Sequence, residues 1–299
     1  MNRPTTGKSD LNRSGRGPKT PYLLLAPLLL LILALLGYPL LTNVIYSFSA
    51  VTFENLRSPV WSGLENYAAV LRDEAFWDAL GFSLRFAVFC TVFEVVIGFV
   101  LALLFEPLLA RHKPLLALLL LPMMISPALM GIMYRLLLDD FVGIVPQYLA
   151  LTGFSANLLT PPFLVPTLVA IEVLQWTPFA FLIFYTGLQG VPGELVEAAK
   201  IDGAAPPQVF RFVLLPLLVP ALAIAAFVRF IDSFRVFDHI YVLTGGGPGN
   251  LTTSISIYIY KTFFQQTQLG QAVAASMLLL ILSLIPLWLS MRYVVRGAR

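Results

Sequence analysis

Long apolar runs alternate with short polar stretches along this chain, and the runs are the length a bilayer demands. A membrane-crossing helix needs roughly 20 mainly apolar residues. Six stretches meet that requirement, at 21–47, 80–105, 114–135, 163–188, 212–231 and 272–293. The first carries no charge from Pro21 to Phe53. It is too long for the apolar core of a secretory signal and has no convincing small-residue cleavage site, so it reads as a retained anchor. The second is interrupted by Arg85 and Glu94, the third opens at Pro114 and closes at Arg135, and the fourth contains Glu172. The pattern predicts an all-α polytopic membrane protein with six transmembrane helices. No repeat of fixed period and no second soluble domain is visible, because the loops between spans are too short to hold one.

Composition agrees. Charged residues are 12% of the chain, against about 25% in an ordinary soluble domain. The net charge of +3 is scattered and leaves no nucleic-acid footprint. Cys90 is the single cysteine, and His112 and His239 lie far apart, so neither an internal disulfide nor a metal motif is read. There is no H-E-x-x-H, no G-x-S-x-G nucleophile motif and no Cys–His pairing. No catalytic residue, metal or cofactor is therefore expected.

Basic residues of short loops set orientation. The N-terminal tail holds Arg3, Lys8, Arg13, Arg16 and Lys19 against Asp10, the 106–113 loop holds Arg111 and Lys113, and the C-terminus holds Arg292, Arg296 and Arg299. These regions are expected in the cytoplasm, with both termini inside. Loop 48–78, with five acids and two bases, and loop 139–162, with Asp139, Asp140 and no base, are expected outside. Residues 1–20 read as a mobile tail touching anionic lipid. The 48–79 stretch is an external loop, and 80–295 the transport domain proper.

Loop 189–211 has only Lys200 and Arg211 against Glu194, Glu197 and Asp202, so alternation of spans, not charge, places it inside. Pro192 suits a first helical turn. Glu194 and Glu197 put negative charge in the early turns, where the helix dipole favours it. Gly203 can take the left-handed conformation that ends a helix, and Pro206-Pro207 can start the next. The expected structure is a helix over 192–202, a turn over 203–206 and a second helix over about 207–215 running into the fifth span. Ala198 and Ala199 leave a small face that another protein can approach, and Glu197 projects from it.

The spacing Glu197-Ala198-Ala199, three residues, Gly203, nine residues, Val213-Leu214-Leu215-Pro216 resembles the loop that permease subunits of binding-protein-dependent ABC importers present to their ATPase. Val213 replaces the family's isoleucine. Trp176-Thr177-Pro178-Phe179, Gly187-Leu188-Gln189-Gly190-Val191-Pro192, Phe234-Arg235-Val236-Phe237-Asp238 and Leu243-Thr244-Gly245-Gly246-Gly247-Pro248 resemble the carbohydrate-uptake branch, of maltose, trehalose and glycerol-phosphate type. The Gly-Gly-Pro stretch and Tyr258-Ile259-Tyr260 resemble the first of its two permease subunits. The resemblance covers roughly 80–295. It implies the type I importer permease fold, a bacterial-type inner-membrane location, and a pore subunit that catalyses nothing itself. It also implies a second, homologous permease, two ATP-binding subunits and an external solute-binding protein. Glu197, Ala198, Ala199, Asp202, Gly203 and Pro216 are the expected ATPase-coupling residues.

Charges within a span usually face a cavity or a partner helix. Arg85 and Glu94, nine residues apart, fall on opposite sides of one helix and cannot pair; each needs another partner, or Arg85 reaches the outer interface. Glu172, Gln175 and Trp176 share one helix face. A carboxylate, an amide and an aromatic plate suit a sugar, and they equally suit a helix–helix hydrogen bond with an interfacial Trp. The family resemblance adds positions near Asp232, Ser233 and Val236. The family's amides are absent there, and the chain offers Arg229, Asp232, Ser233 and Arg235. Such a cationic pair suits a phosphorylated polyol, or Arg229 and Asp232 neutralise each other. The glycines at 245–247 and 249 lack a following Lys-Ser/Thr, so they read as an outward turn rather than a phosphate loop. Residues 254–260 alternate like a strand, but an unpaired strand is costly near lipid, so a short helix or ordered loop is expected. The alternative to an ABC importer subunit is a proton-coupled secondary transporter using Glu94, Glu172 or Asp232.

Overall fold

The computed structural model describes residues 20–109, 111–153 and 156–297. The basic tail read over 1–20 lies, but for Thr20, outside the described residues, as does Arg299. The chain divides into two units, one ending at Ile45 and one running from Tyr46. The first consists of α1 (Thr20–Ile32), a π-helical turn (Leu33–Gly37) and most of α2 (Tyr38–Ser47). Pro39 explains the wide turn. Without an N–H it cannot bond the carbonyl four residues back, and the N–H of Tyr38 reaches instead to Leu33, five residues back.

The second unit begins with a two-residue antiparallel pair, β1 (Ser49–Ala50) with β2 (Val60–Trp61). Then follow α3 (Glu65–Arg72), α4 (Glu74–Leu109), α5 (Pro114–Leu120), α6 (Pro127–Leu137), α7 (Ile144–Leu151), α8 (Leu164–Gln189), α9 (Gly193–Ile201), α10 (Pro206–Val209), α11 (Leu215–Phe234), α12 (Asp238–Thr244), α13 (Ile255–Tyr260) and α14 (Leu269–Gly297). Among the described residues, five helical stretches are long and apolar enough to cross a membrane, and a bent pair brings the number to six.

That bent pair corrects one expectation. The uninterrupted span read over 114–135 is two pieces, Pro114–Met124 and Pro127–Leu137, inclined at 85°. Proline disfavours helical geometry in the residue before it, and Ser126, which precedes Pro127, is extended with ψ 134°. Ile125 is extended too, with ψ 134°. Hydropathy sums over the break and does not register it.

The strand-like 254–260 stretch is helical, as the need to pair its backbone required. The Ser254 hydroxyl accepts from the Ile257 N–H and donates to the Val236 carbonyl at 2.6 Å. The glycine stretch is a turn, with Gly245 capping α12 in the left-handed region at φ 60°.

Helices α4, α8 and α11 pack against one another and form the frame of the second unit. They approach closely at Gly98. A β-carbon there would stand 2.7 Å from the Phe181 nitrogen and 2.9 Å from the Ala180 β-carbon. Ala102, Ala180 and Ala225 line the same contact, with Phe181 and Phe184 filling the space beside them. Small residues let backbones approach and gain dispersion, which is what holds helices together where lipid is as apolar as a side chain.

Candidate functional site

Arg229 is fully buried on α11 and ties the three frame helices together. Its Nε donates to Glu94 Oε2 on α4 at 2.6 Å, and its Nη2 donates to Glu94 Oε1 at 3.1 Å. The same Nη2 donates to Glu172 Oε1 on α8 at 2.9 Å. One turn along α11, Ser233 Oγ donates to that Glu172 oxygen at 3.2 Å. The Trp176 indole lies under the guanidinium, with its centroid 4.7 Å from Cζ, a cation–π contact worth more where water is excluded. The partner Glu94 required is thus Arg229, 135 residues further along. Asp232 is a lesser neighbour of Arg229, at 3.6 Å from Nη1; its closer contact is Arg235 Nη2 at 3.0 Å. Arg85 folds back on its own helix and donates to the Gly81 carbonyl.

This cluster forms one wall of a cavity of about 480 Å³ between α8, the start of α6 and the α11–α12 junction. Of the residues expected on a substrate path, Glu172, Trp176, Asp232 and Arg235 line it. Arg229 and Ser233 stand behind that wall, fully buried. Gln175 is diverted: its Nε2 donates to the Ile125 carbonyl at 2.9 Å, so it caps the broken span. That is the helix–helix alternative its position left open. Three polar residues had not been singled out for this site. Asp238 and His239 line the cavity, and Glu94 supports it from behind. His239 Nδ1 lies 3.6 Å from Glu172 Oε2. The signal for His239 was its place in the polar run after the fifth span, but nothing local tells a lining residue from a packed one. A second cavity of similar volume, between α4 and α8 at Phe89, Phe93 and Val169, is walled by apolar side chains. It offers no donor or acceptor to a polar solute.

The polar loop has the helix–turn–helix form its punctuation predicted, with one correction: Pro192, expected in the first helical turn, precedes α9 in an extended conformation. Gly203 takes φ +82°, the Ala204 N–H bonds back to the Ala199 carbonyl, and the Gly203 N–H bonds back to Lys200. This 6→1 and 5→2 pair is a Schellman stop. Gln208 Oε1 then accepts from the Ala205 N–H at 2.7 Å and starts α10. A π-helical turn, Phe210–Leu214, joins α10 to α11, so the second helix reaches the fifth span through a widened register. Pro216 supplies the cause, as Pro39 does earlier: it lacks the N–H for the Phe212 carbonyl, and the Leu215 N–H bonds Phe210 instead.

Glu197, Ala198, Asp202, Gly203 and Pro216 are exposed, and Ala199 is half-buried. Ile201 is 86% exposed, an unusual setting for a large apolar side chain at the end of a polar helix. The opposite side of α9 is seated: Val196 shares a crevice with Leu103 and Glu106 of α4, Leu188 of α8 and Leu214 before α11. Gln189 donates to Glu106 across it at 3.2 Å. The helix therefore packs on α10 and the π-helical turn that leads into α11, and faces the ends of α4 and α8 across the crevice.

Residues 20–299 match the family model described as the binding-protein-dependent transport system inner membrane component. The chain belongs to that family. It is 36% identical over 252 residues to a probable ABC transporter permease protein, y4oQ, of Sinorhizobium fredii, covering 84% of this chain and 82% of that one. It is 34% identical to the trehalose/maltose transport system permease protein MalF of Thermococcus litoralis, covering 90% and 92%. Its fold matches a chain in the crystal structure of a bacterial ABC transporter that imports the acidic polysaccharide alginate, with TM-score 0.79, 22% identity, and 92% and 95% of the two chains covered. The type I importer permease fold, expected from the loop, is the fold observed.

Proposed function

We propose that this subunit supplies half of the translocation path for a sugar or sugar-like solute, and that its partners do the rest. An external binding protein delivers the solute, a second homologous permease completes the channel, and two ATP-binding subunits grip the loop at 189–211. In this reading the loop and both termini are cytoplasmic and the membrane is a bacterial inner membrane. Glu197, Ala198, Ala199, Asp202, Gly203 and Pro216 form or shape the gripped element. Glu172, Trp176, Asp232 and Arg235 touch the solute.

One observation carries the reading. Helix α9 offers an exposed acidic and apolar side outward while its inner side packs on the turn that leads into α11 and faces α4 and α8 across a crevice lined by Val196. A push on the outer side passes to the helices whose other contacts wall the cavity. Nucleotide then biases one end of a two-state element and the loaded binding protein the other. The name of the trehalose/maltose relative supports the saccharide class.

The test is co-purification of the ATP-binding subunits with the permease, together with ATP-dependent uptake into proteoliposomes holding all subunits. Glu197→Lys is expected to abolish both. Full uptake by this polypeptide alone, or uptake that survives ATP depletion with a proton gradient intact, would instead establish the proton-coupled alternative. Against that alternative, Glu94 and Glu172 are each ion-paired with Arg229, and Asp232 with Arg235.

A further inference from the structure

Taking the cavity as the solute site, we propose that it accepts an uncharged polyhydroxylated solute, excludes phosphorylated and carboxylated ones, and reads one solute hydroxyl through His239. The inference rests on the importer reading and adds the charge class of the solute and a specificity-determining residue.

The charge argument starts from what each arginine already holds. Arg229 is enclosed by Glu94 and Glu172, and Arg235 at the rim is held by Asp232. Asp238 adds a further carboxylate to the lining. Four carboxylates thus face two guanidinium groups in and immediately behind the walls. An entering phosphate or uronate would meet an excess of negative charge. The buried cation beside the cavity, Arg229, already carries the Glu94 and Glu172 carboxylates, and its Nη1, which has no hydrogen-bond partner, stands behind the wall at 3.6 Å from Asp232, so an anion meets the carboxylates first. The cationic pair that the sequence offers to a phosphorylated polyol is thus already spent on side chains. Hydroxyl groups meet the opposite situation. The carboxylate oxygens accept from them, and the Trp176 ring gives an apolar plate to a sugar's C–H face.

His239 supplies the second, independent observation. It lines the cavity, is 1% exposed, and its Nε2 has no hydrogen-bond partner. A buried polar atom left unpaired is costly, and a solute hydroxyl in the cavity would satisfy it. The ring is held on two sides and its backbone on a third. Phe86 of α4 lies with its centroid 6.4 Å away. Glu172 faces Nδ1. On α6, Gly131 has no side chain, and a β-carbon there would stand 3.1 Å from the His239 Cα. A fixed ring reads position, so His239 should discriminate between solutes that differ at a single hydroxyl.

The experiment has two arms in the source organism. In the first, the gene is deleted and the spent medium is compared with that of the parent after growth on a mixture. The mixture contains trehalose, maltose, other neutral oligosaccharides and polyols, glycerol 3-phosphate and glucuronate. Solutes left behind only by the deletion strain are expected to be neutral. A phosphate- or carboxylate-bearing solute left behind overturns the inference while leaving the importer reading intact. No gene-dependent solute at all removes both.

In the second arm the deletion strain carries wild-type, His239→Ala or His239→Gln permease at matched membrane levels. Uptake of the identified solute is compared with that of its single-deoxy analogues. The binding protein is common to all strains, so changes in the ratio report the permease. For one analogue the wild-type preference is expected to fall about 5–10-fold in His239→Ala, the worth of one hydrogen bond, and to recover in part in His239→Gln. An equal loss of uptake for every analogue, or unchanged ratios, overturns the role of His239. If the alanine variant fails to accumulate, the glutamine variant's ratios decide.

Discussion

The molecule spends its charges in two opposite ways. Between α4, α8 and α11 opposite charges meet within the chain: Arg229 pairs with Glu94 and Glu172, with both side chains of each pair almost wholly buried. In the loop from α9 to α10, Glu197 and Asp202 stand in solvent with no ion pair among the described residues. Ile201 is exposed beside them. A charge set in lipid must find its partner within the chain, because nothing else is there to solvate it. A charge set in water can wait for another protein. The first cluster therefore serves the bundle, and the second is left open for the interface proposed above. Substitutions in the two regions should fail in different ways.

The largest difference is expected at Arg229. Replacing it with alanine strands Glu94 and Glu172 without a cation, and breaking a buried pair in this way costs about 3–5 kcal/mol. Arg229→Ala should accumulate poorly in membranes and melt well below wild type in detergent. The triple change Arg229→Leu, Glu94→Leu, Glu172→Gln should recover much of the loss in folding, though not transport. A single variant that melts like wild type would show that these charges do not hold the bundle. Next comes Gly98. Its added β-carbon meets the backbone nitrogen of Phe181, which cannot swing aside as a side chain would. Gly98→Val should force α4 from α8 at a cost of about 1–3 kcal/mol, read by thermal melting. Uptake would fall only as far as folded protein is lost.

Much of this contrast was legible beforehand, and the reason is locality. The α9–α10 loop is written in residues that act on their neighbours: acidic residues in an early turn, Gly203 at a left-handed stop, Pro206-Pro207 at a new start. Each expectation there needs only a few consecutive positions; the observed stop and restart match, while Pro192 sits one position ahead of the helix it was expected to open. The span count was legible because hydropathy is a sum. What a sum cannot show is a bend, so the break at Ile125-Ser126 went unread although Pro122 and Pro127 flank it. The ion cluster was half legible. That Glu94 cannot pair with Arg85 follows from helical spacing, but that its partner is Arg229 follows only from how α4 and α11 pack. The same holds for Gln175, whose face was read correctly and whose partner, a carbonyl freed by that break, was not foreseeable. The cavity role of His239 lay beyond sequence for the same reason.

Glu197→Lys sharpens the comparison from the loop side. The residue is exposed and its reversal breaks nothing within the chain, so the melting temperature should stay within about 1–2 °C of wild type, as for surface changes generally. Association with the ATP-binding subunits should fall at least about tenfold, as expected when a charge at an interface is reversed. A pull-down at matched expression reads this directly. Loss of folding without loss of association would invert the contrast between the two regions.

The smallest effect expected is at Gly203, and it is the most discriminating. A β-carbon there would touch nothing within 4 Å, so Gly203→Ala introduces no clash. Only the backbone objects, since φ is +82° and an L-residue in the left-handed region costs about 1–2 kcal/mol. That strain falls on the turn that ends α9 and not on the bundle. The Schellman bonds from Ala204 to Ala199 and from Gly203 to Lys200 should weaken, and the last turn of α9, with Ile201 and Asp202, should fray. Global melting should hardly move. Hydrogen exchange at positions 203 and 204 should quicken about 5–30-fold, in step with the cost, and ATP-driven uptake should fall while solute-independent folding does not. Gly203→Asn, which tolerates the same conformation better, should lie between the two. If both variants transport like wild type while their amides exchange faster, a firm end to α9 is not needed to pass force from the loop to the helices that wall the cavity.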